Sequence, residues 1–187
     1  MALPADDTAS ARFISDVATI RARARQHMER GAVTPTYPEG RAHICQLLNE
    51  ALATEIVCVL RYKRHYYSAR GSTGRQAAAE FLEHANEEQQ HADRIAERIV
   101  QLGGDPDLDP RTLADRSHSE YDAHESLRAM LEADLFAERI AIESYREMIL
   151  YFGDRDPTSR RLMEEILAVE EEHADDLVDL LHDVLLA

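Results

Sequence analysis

The sequence predicts an all-α fold: a four-helix bundle of two hairpins joined by one long crossover, with an extra helix ahead of the bundle. Three observations carry that expectation. Only 7 Gly and 6 Pro interrupt 187 residues, of which 30% are charged and 44% hydrophobic. That balance, rich in Ala, Leu, Glu and Arg, favours helices over a sandwich or barrel. The few Gly- and Pro-containing breaks divide the chain into long periodic stretches. One of the connections between the four longest stretches is far longer than the other two.

In order along the chain, a first helix is expected from about Thr8 to Arg30, closed by the loop GAVTPTYPEG at 31–40. A second runs from about Arg41 to Ala69 and stops at RGSTG. A third starts near Arg75 and stops at Gly103-Gly104. The turn-rich segment GGDPDLDPRTLADRSHSEYDA follows. A fourth covers about His124 to Phe152, and GDRDP separates it from a fifth, about Thr158 to Leu186. Each of the last four holds about 28 residues, or about 42 Å at helical rise. Short connections suit antiparallel neighbours, and the middle one, of about 20 residues, is long enough to cross a bundle from end to end. The expected division is an N-terminal helix and loop over 1–40 and the bundle over 41–187.

The apolar periodicity shows where the bundle is interrupted. The second helix carries Ile44, Leu48, Leu52, Val59, Tyr62 and Tyr66 at the three-four spacing of a buried face, and the fourth carries Leu127, Leu131, Leu135, Ile142, Tyr145 and Ile149. The sets are offset by 83, and at the centre of each stands a glutamate, Glu55 or Glu138. The third helix has Phe81, His84, Ile95 and Leu102 interrupted by Glu88 and His91. The fifth has Met163, Ile166, Leu177 and Val184 interrupted by Glu170 and His173, offset by 82. EEQQHAD at 87–93 and VEEEHAD at 169–175 are thus two copies of one register. Before His91 both Glu87 and Glu88 share its face. Before His173 the i−4 position is Val169, so only the i−3 glutamate is common to both copies. Glu87, Glu171 and Glu172 therefore read as flanking surface charge, and His84, whose counterpart is Ile166, as a core histidine or one behind the ligands.

Four carboxylates in one core each face a desolvation cost of several kcal/mol if unpaired. No Lys or Arg occupies a matching seam position. Two divalent cations would neutralise all four, and Glu plus Glu-x-x-His from each half is a di-metal pattern of helical bundles. Oxygen-rich ligation with imidazole and no thiolate suits iron or manganese better than structural zinc.

With these residues in place the chain resembles the bacterioferritins of the ferritin-like superfamily. The resemblance runs through LLNEALATEIVCVLRY (47–62), EEQQHADRIAERI (87–99), DLFAERIAIESY (134–145) and EEEHADDL (170–177). It implies a ferroxidase centre with two Fe ions per subunit, oxidising Fe2+ with O2 or H2O2 and storing ferric mineral in a homo-oligomeric cage. Glu55 and His91 would hold one iron, Glu138 and His173 the other, with Glu88 and Glu170 bridging. Tyr62 matches a tyrosine near the family's centre that donates an electron or a hydrogen bond, while Tyr145 reads equally well as a packing aromatic. Bacterioferritins bind haem through a Met directly after the first Glu of Glu-x-x-His. Here that position is Gln89, so haem is not expected. An extra helix before the bundle, and too little chain after His173 for a further short helix, look more like Dps-like proteins with a bacterioferritin-type centre. A 12-subunit shell is therefore expected over a 24-subunit one. The alternatives are an uncaged Fe or Mn peroxidase or catalase-like enzyme and a DNA-protecting shell.

Charge and composition bound the remaining readings. A net charge of −15 repels phosphate backbones and attracts cations. The exception is RARARQHMER at 21–30, which reads as a solvated face ahead of a nucleic-acid arm. No uninterrupted apolar run approaches the roughly 18–20 residues that span a bilayer. MALPADDTAS lacks the features of a signal peptide, so a cytoplasmic protein is expected. Cys45 and Cys58, on one helix, would lie about 20 Å apart, too far for a disulfide.

Overall fold

The computed structural model describes residues 15–37 and 40–186. Six α-helices and no strand occur among them: α1 Val17–Ala24, α2 Arg41–Ser68, α3 Gly71–Gln101, α4 Leu113–Arg116, α5 Leu127–Phe152 and α6 Pro157–Leu186. The chain divides into two units, one ending at Thr36 and one beginning at Tyr37.

In the first unit the helix is shorter than the sequence suggests, and residues 8–14 of the expected span lie outside the described residues. Asp16 caps α1 by accepting from the Thr19 amide at 3.0 Å. No residue of α1 is buried, so nothing but local propensity extends it. The chain leaves helical geometry at His27, which sits in the left-handed region at φ 54°, and resumes as a 3-10 turn over Met28–Arg30.

The second unit is the expected bundle. α2 packs against α3 and α5 against α6; α2 also meets α5, and α3 meets α6. Between α3 and α5 the chain runs 25 residues, Leu102 to Ser126, and includes the one-turn α4, which the sequence reading left as loop. Leu113 of α4 is buried and the helix lies on α2. A further difference lies at RGSTG. Only Ala69 and Arg70 separate α2 from α3, because the helix starts at Gly71, whose φ of +82° is readily adopted by glycine.

Helix ends follow side-chain and backbone capping rules. Asp156 precedes Pro157 and accepts from the Ser159 amide at 3.1 Å, placing a capping carboxylate and an N1 proline at the start of α6. Ser126 caps α5 through the Ala129 amide at 3.2 Å. At the end of α3, the Gly103 amide donates to Val100 and the Gly104 amide to Ile99, a Schellman closure with Gly103 at φ +73°. Gly104 is also a close-approach position: a Cβ there would meet Cys45 Sγ at 2.9 Å.

The apolar core is in two blocks. One holds Ile44, Leu48, Leu52, Ile95, Ile99, Phe152, Met163 and Ile166; the other holds Tyr62, Phe81, Ala85, Met130, Leu131 and Leu177. On every long helix the Glu and His positions of the seam fall between residues of the first block and residues of the second. On α5 the buried face is wider than the predicted seam. Leu131, Glu138 and Tyr145 are buried as expected, whereas Leu127, Leu135, Ile142 and Ile149 are half-buried and Met130, Asp134, Ala137, Ala141 and Met148 complete the face. α2 alone among the described helices has an 18-residue window apolar enough to cross a membrane, with mean hydropathy 1.3, but 61% of it is buried within the molecule. That stretch is a core helix.

Candidate metal centre

α2, α3, α5 and α6 each turn acidic or imidazole side chains into the layer between the two apolar blocks. Glu55, Glu88, Glu138, Glu170 and His173 are each no more than 1% exposed, and His91 is 4% exposed. Two sets of four donors form, Glu55, Glu88, His91 and Glu170 on one side and Glu88, Glu138, Glu170 and His173 on the other, each within 4.8 Å of one another. All six sequence-predicted ligands are thus together, and Glu88 and Glu170 belong to both sets.

The imidazoles face the carboxylates through Nδ1. His91 Nδ1 lies 3.5 Å from Glu55, 3.3 Å from Glu88 and 3.0 Å from Glu170. His173 Nδ1 lies 3.6 Å from Glu88 and 3.4 Å from Glu170. The two tyrosines cross between halves: Tyr62 on α2 donates its hydroxyl to Glu138 on α5, and Tyr145 on α5 donates to Glu55 on α2. Each tyrosine stands seven residues after its own helix's glutamate, yet it fixes the opposite one. The 83-residue repeat contains this exchange, but residue spacing along one helix does not reveal it. Burial pushes both phenols well above their ordinary pKa, so each remains a proton donor.

Beyond the six, the structure adds two partners: Glu87, which the repeat obscured, and His84, which the sequence left as a core histidine or one behind the ligands. Glu87 reaches across from α3 and accepts from His173 Nε2 at 2.8 Å. It is therefore an orienting carboxylate rather than the surface charge expected of it, in the manner of a histidine fixed through its second nitrogen. His84 stacks on His173 with ring centroids 3.9 Å apart, and its Nδ1 lies 3.2 Å from the Tyr62 hydroxyl. Burial and the neighbouring His173 push His84 down to about 3, so its ring is neutral. Gln89 is half-buried and its amide donates to Asp93 at 3.0 Å. Cys45 and Cys58 are both free thiols on α2; Cys58 is buried and accepts from Arg61 Nη2 at 3.3 Å.

The electrostatics are those of a cluster with too many acceptors. Burial, then the charges of Glu88 and Glu170, push Glu55 and Glu138 well above the usual carboxylate range. Burial opposes the charge of Glu88 as well, but the neighbouring Glu55, His173 and His91 outweigh it and hold that group well below the range. Burial disfavours both imidazolium ions, and the facing carboxylates, Glu170 first, override it; His173 is pushed up to about 12 and His91 is also raised. Even so, Glu55 Oε2, Glu88 Oε1, Glu138 Oε2, both Glu170 oxygens and His173 Nδ1 have no hydrogen-bond partner. Buried polar atoms are rarely left so. Six orphaned atoms converging in one layer fit divalent cations, which would satisfy the oxygens and replace the protons.

A Ferritin-like domain family matches residues 45–186. The chain belongs to the ferritin-like family. Within that family it is 32% identical to a bacterioferritin of Rhodobacter capsulatus over 141 residues, 73% of this chain and 81% of the relative. It is 33% identical over 138 residues to a nutrient stress-induced DNA-binding protein of a Synechococcus strain, covering 71% of this chain and 77% of that one. Among solved structures, a dodecameric thioferritin, the bacterioferritin-related protein from Bacteroides fragilis, superposes with TM-score 0.74 at 33% identity, over 78% of this chain and 88% of that chain. Dps from Thermosynechococcus elongatus shares the ferritin-like fold, with TM-score 0.72 at 20% identity over 75% and 90% of the two chains.

Proposed function

We propose that this ferritin-like chain is a ferroxidase subunit of an iron-storing cage. The observation that carries the reading is the shared pair of buried donor sets, whose orphaned carboxylate and imidazole atoms call for two cations. Glu55 and His91 would hold one Fe2+, Glu138 and His173 the other, and Glu88 and Glu170 would bridge them. Paired Fe2+ supplies two electrons at once. With H2O2 the O–O bond breaks, each iron gives one electron, and two protons complete two waters; with O2 the same two electrons and two protons form H2O2. Tyr62 and Tyr145 hold the terminal glutamates in place, and Tyr62 is the closer match to the family's electron-donating tyrosine. Glu87 fixes the His173 ring, so His173 presents Nδ1 inward.

A 12-subunit cage in the cytoplasm is proposed, supported by the dodecameric bacterioferritin-related neighbour. Manganese is the alternative occupant on donor chemistry. The test is an anaerobic Fe2+ titration of metal-free protein, sized beforehand, followed by a pulse of oxidant. A particle of twelve 21.2 kDa chains that rapidly oxidises two irons per chain and then takes up many more supports the store. Saturation at two irons on a dimer would instead identify an uncaged di-metal oxidoreductase.

A DNA-protecting role has two observations in its favour: a relative is named for DNA binding, and Arg21, Arg23 and Arg25 are exposed here. It predicts DNA retardation that weakens with salt and vanishes when residues 8–30 are deleted. Retardation unaffected by that deletion counts against an arginine arm.

A further inference from the structure

A second group of ligating side chains lies just outside the dinuclear cluster, on the α3–α6 side. His84 is 1% exposed. Its Nε2 points between Glu80 Oε1 at 3.8 Å and Asp176 Oδ2 at 3.7 Å, side chains that are 32% and 44% exposed. The three donor atoms lie within 4.8 Å of one another. The backs and fronts of this group therefore differ: an imidazole buried against His173, and two carboxylates that open to solvent.

The protonation of His84 follows from its neighbours. The Tyr62 hydroxyl proton is committed to Glu138, so the phenol oxygen accepts, and His84 Nδ1 carries the proton it donates there at 3.2 Å. With Nδ1 as the donor to Tyr62, Nε2 is the nitrogen left to bind an ion. That nitrogen has no hydrogen-bond partner. Two solvent-reachable carboxylates thus face a buried nitrogen that has no partner of its own, and an unpartnered buried nitrogen costs free energy unless water or a cation reaches it.

We propose that Glu80, His84 and Asp176 form a third divalent-cation site, mononuclear, at the solvent-reachable side of the dinuclear cluster. One divalent ion against two carboxylates and a neutral imidazole closes the charge. A tetrahedral ion with ligands at about 2.0–2.2 Å holds its donors about 3.3–3.6 Å apart, so each carboxylate must close on His84 Nε2 by a few tenths of an ångström, and the two carboxylates, within 4.8 Å of one another, must close to the same spacing. Glu80 and Asp176, being half-exposed, have room to make that move. The site also touches the chemistry next door, because the His84 ring that would ligate through Nε2 stacks on His173 and holds Tyr62 through Nδ1. A cation there would be separated from the dinuclear ligands by the His84 ring alone. This inference rests on the dinuclear reading only for that neighbourhood; the binding of the ion stands on its own three residues.

The test uses the whole assembled protein, stripped of metal and crystallised, with Co2+ soaked in and anomalous difference density collected at the cobalt edge. The parent is expected to show three peaks per chain, one of them within bonding distance of His84 Nε2. The Glu80→Gln, Asp176→Asn double variant, altered only at half-exposed positions, is expected to lose that peak and keep the other two. A Glu55→Ala, Glu138→Ala variant is expected to weaken the dinuclear peaks and keep the third, so that failure of one reading is visible apart from failure of the other. Equilibrium dialysis at micromolar Co2+ would show one ion fewer per chain in the Glu80, Asp176 variant than in the parent. Absence of density at His84 in a parent crystal whose dinuclear site is filled overturns the proposal, as does a third peak that survives the double substitution.

Discussion

Two buried polar clusters share the bundle and are built in opposite ways. Arg61 and Asp134 are 1% and 0% exposed, as deeply placed as the glutamates of the candidate metal centre. Arg61 donates from Nε to Asp134 at 2.8 Å, from Nη1 to Ser119 Oγ at 2.7 Å and the Glu120 carbonyl at 3.0 Å, and from Nη2 to Cys58. Asp134 takes a second bond from His65 Nδ1 at 2.8 Å. Burial works against the Arg61 charge, and Cys58 and Asp134 outweigh it, so the guanidinium stays protonated. Donors and acceptors there are nearly matched, whereas the Glu/His layer leaves five carboxylate oxygens and an imidazole nitrogen without partners. Depth of burial is the same in both. What separates scaffold from candidate site is the excess of acceptors, since a matched network holds a fold together and an unmatched one requires something from outside.

The largest expected effect breaks the matched network. Asp134→Ala leaves a buried guanidinium and His65 without their carboxylate, and a broken buried pair costs about 3–5 kcal/mol. Denaturant unfolding of metal-free protein reads the loss. Iron oxidation per folded chain is expected to stay near the parental rate, because Asp134 contributes no donor to either four-membered set. A variant as stable as the parent would show that Arg61 finds other partners and that the contrast between the clusters is overstated.

In the unmatched cluster the opposite pattern is expected. Glu170→Gln removes a carboxylate shared by both donor sets, and rapid oxidation of the first two Fe2+ per chain should fall at least about a hundredfold. The metal-free variant should melt no lower than the parent, because one of four crowded carboxylates is gone. Stopped-flow absorbance and metal-free calorimetry make the two readings. A large drop in melting temperature with oxidation preserved would turn Glu170 into a structural residue.

Glu87 sharpens the comparison within the centre, because it breaks the internal symmetry. Its counterpart at position 169 is Val, so of the two histidines in the candidate centre His173 has this carboxylate on Nε2. Glu87→Gln is expected to weaken one of the two tight Co2+ ions about tenfold, near 1.4 kcal/mol, and to leave the other unchanged. Equal weakening of both ions in a binding isotherm would mean that Glu87 acts through overall charge.

The pattern of what the sequence disclosed follows from repetition. That Glu55, Glu88, His91, Glu138, Glu170 and His173 meet in one buried layer was legible because each occurs twice in register and each interrupts an apolar stripe. The bundle and its crossover were legible from periodicity and connection length. Arg61 and Asp134 have no such echo, since their counterparts are Ser144 and Ala51, and their partnership joins helices that are far apart in sequence. The early start of α3 was hidden by a glycine that reads as a loop residue but supplies the first helical position. The early end of α1 was hidden for another reason: Arg- and Ala-rich sequence favours helix locally, while no buried face extends it.

A smaller effect comes from pH at the other matched pair. Arg98 Nη2 meets the two oxygens of Asp156 at 2.7 and 2.9 Å, and Tyr37 and Ser159 complete the group. Burial raises the Asp156 carboxyl, but the bonds from Ser159 and Arg98 outweigh it and hold it below its ordinary value. A group depressed in the folded state contributes stability above its unfolded pKa and loses it as pH falls through the folded one. The parent should therefore lose stability on acidification below about pH 4, and Asp156→Asn should show a flatter acid limb in metal-free protein. An identical limb in both would assign acid sensitivity elsewhere.

The smallest effect marks where charge pairing stops mattering. Arg128 and Glu132 pair at 2.7 Å one turn apart on α5, closer than many contacts in the interior, with side chains 59% and 51% exposed. Water competes for both partners, and ordering two long side chains offsets the attraction, so Arg128→Ala should change unfolding free energy by no more than about 0.5 kcal/mol. A 2.8 Å contact at Arg61 and a 2.7 Å contact at Arg128 would then differ severalfold in consequence, which distance cannot explain and desolvation can. If Arg128→Ala cost as much as Asp134→Ala, proximity rather than burial would govern charge pairs in this bundle, and orphaned buried oxygens would no longer be a guide to a candidate metal centre.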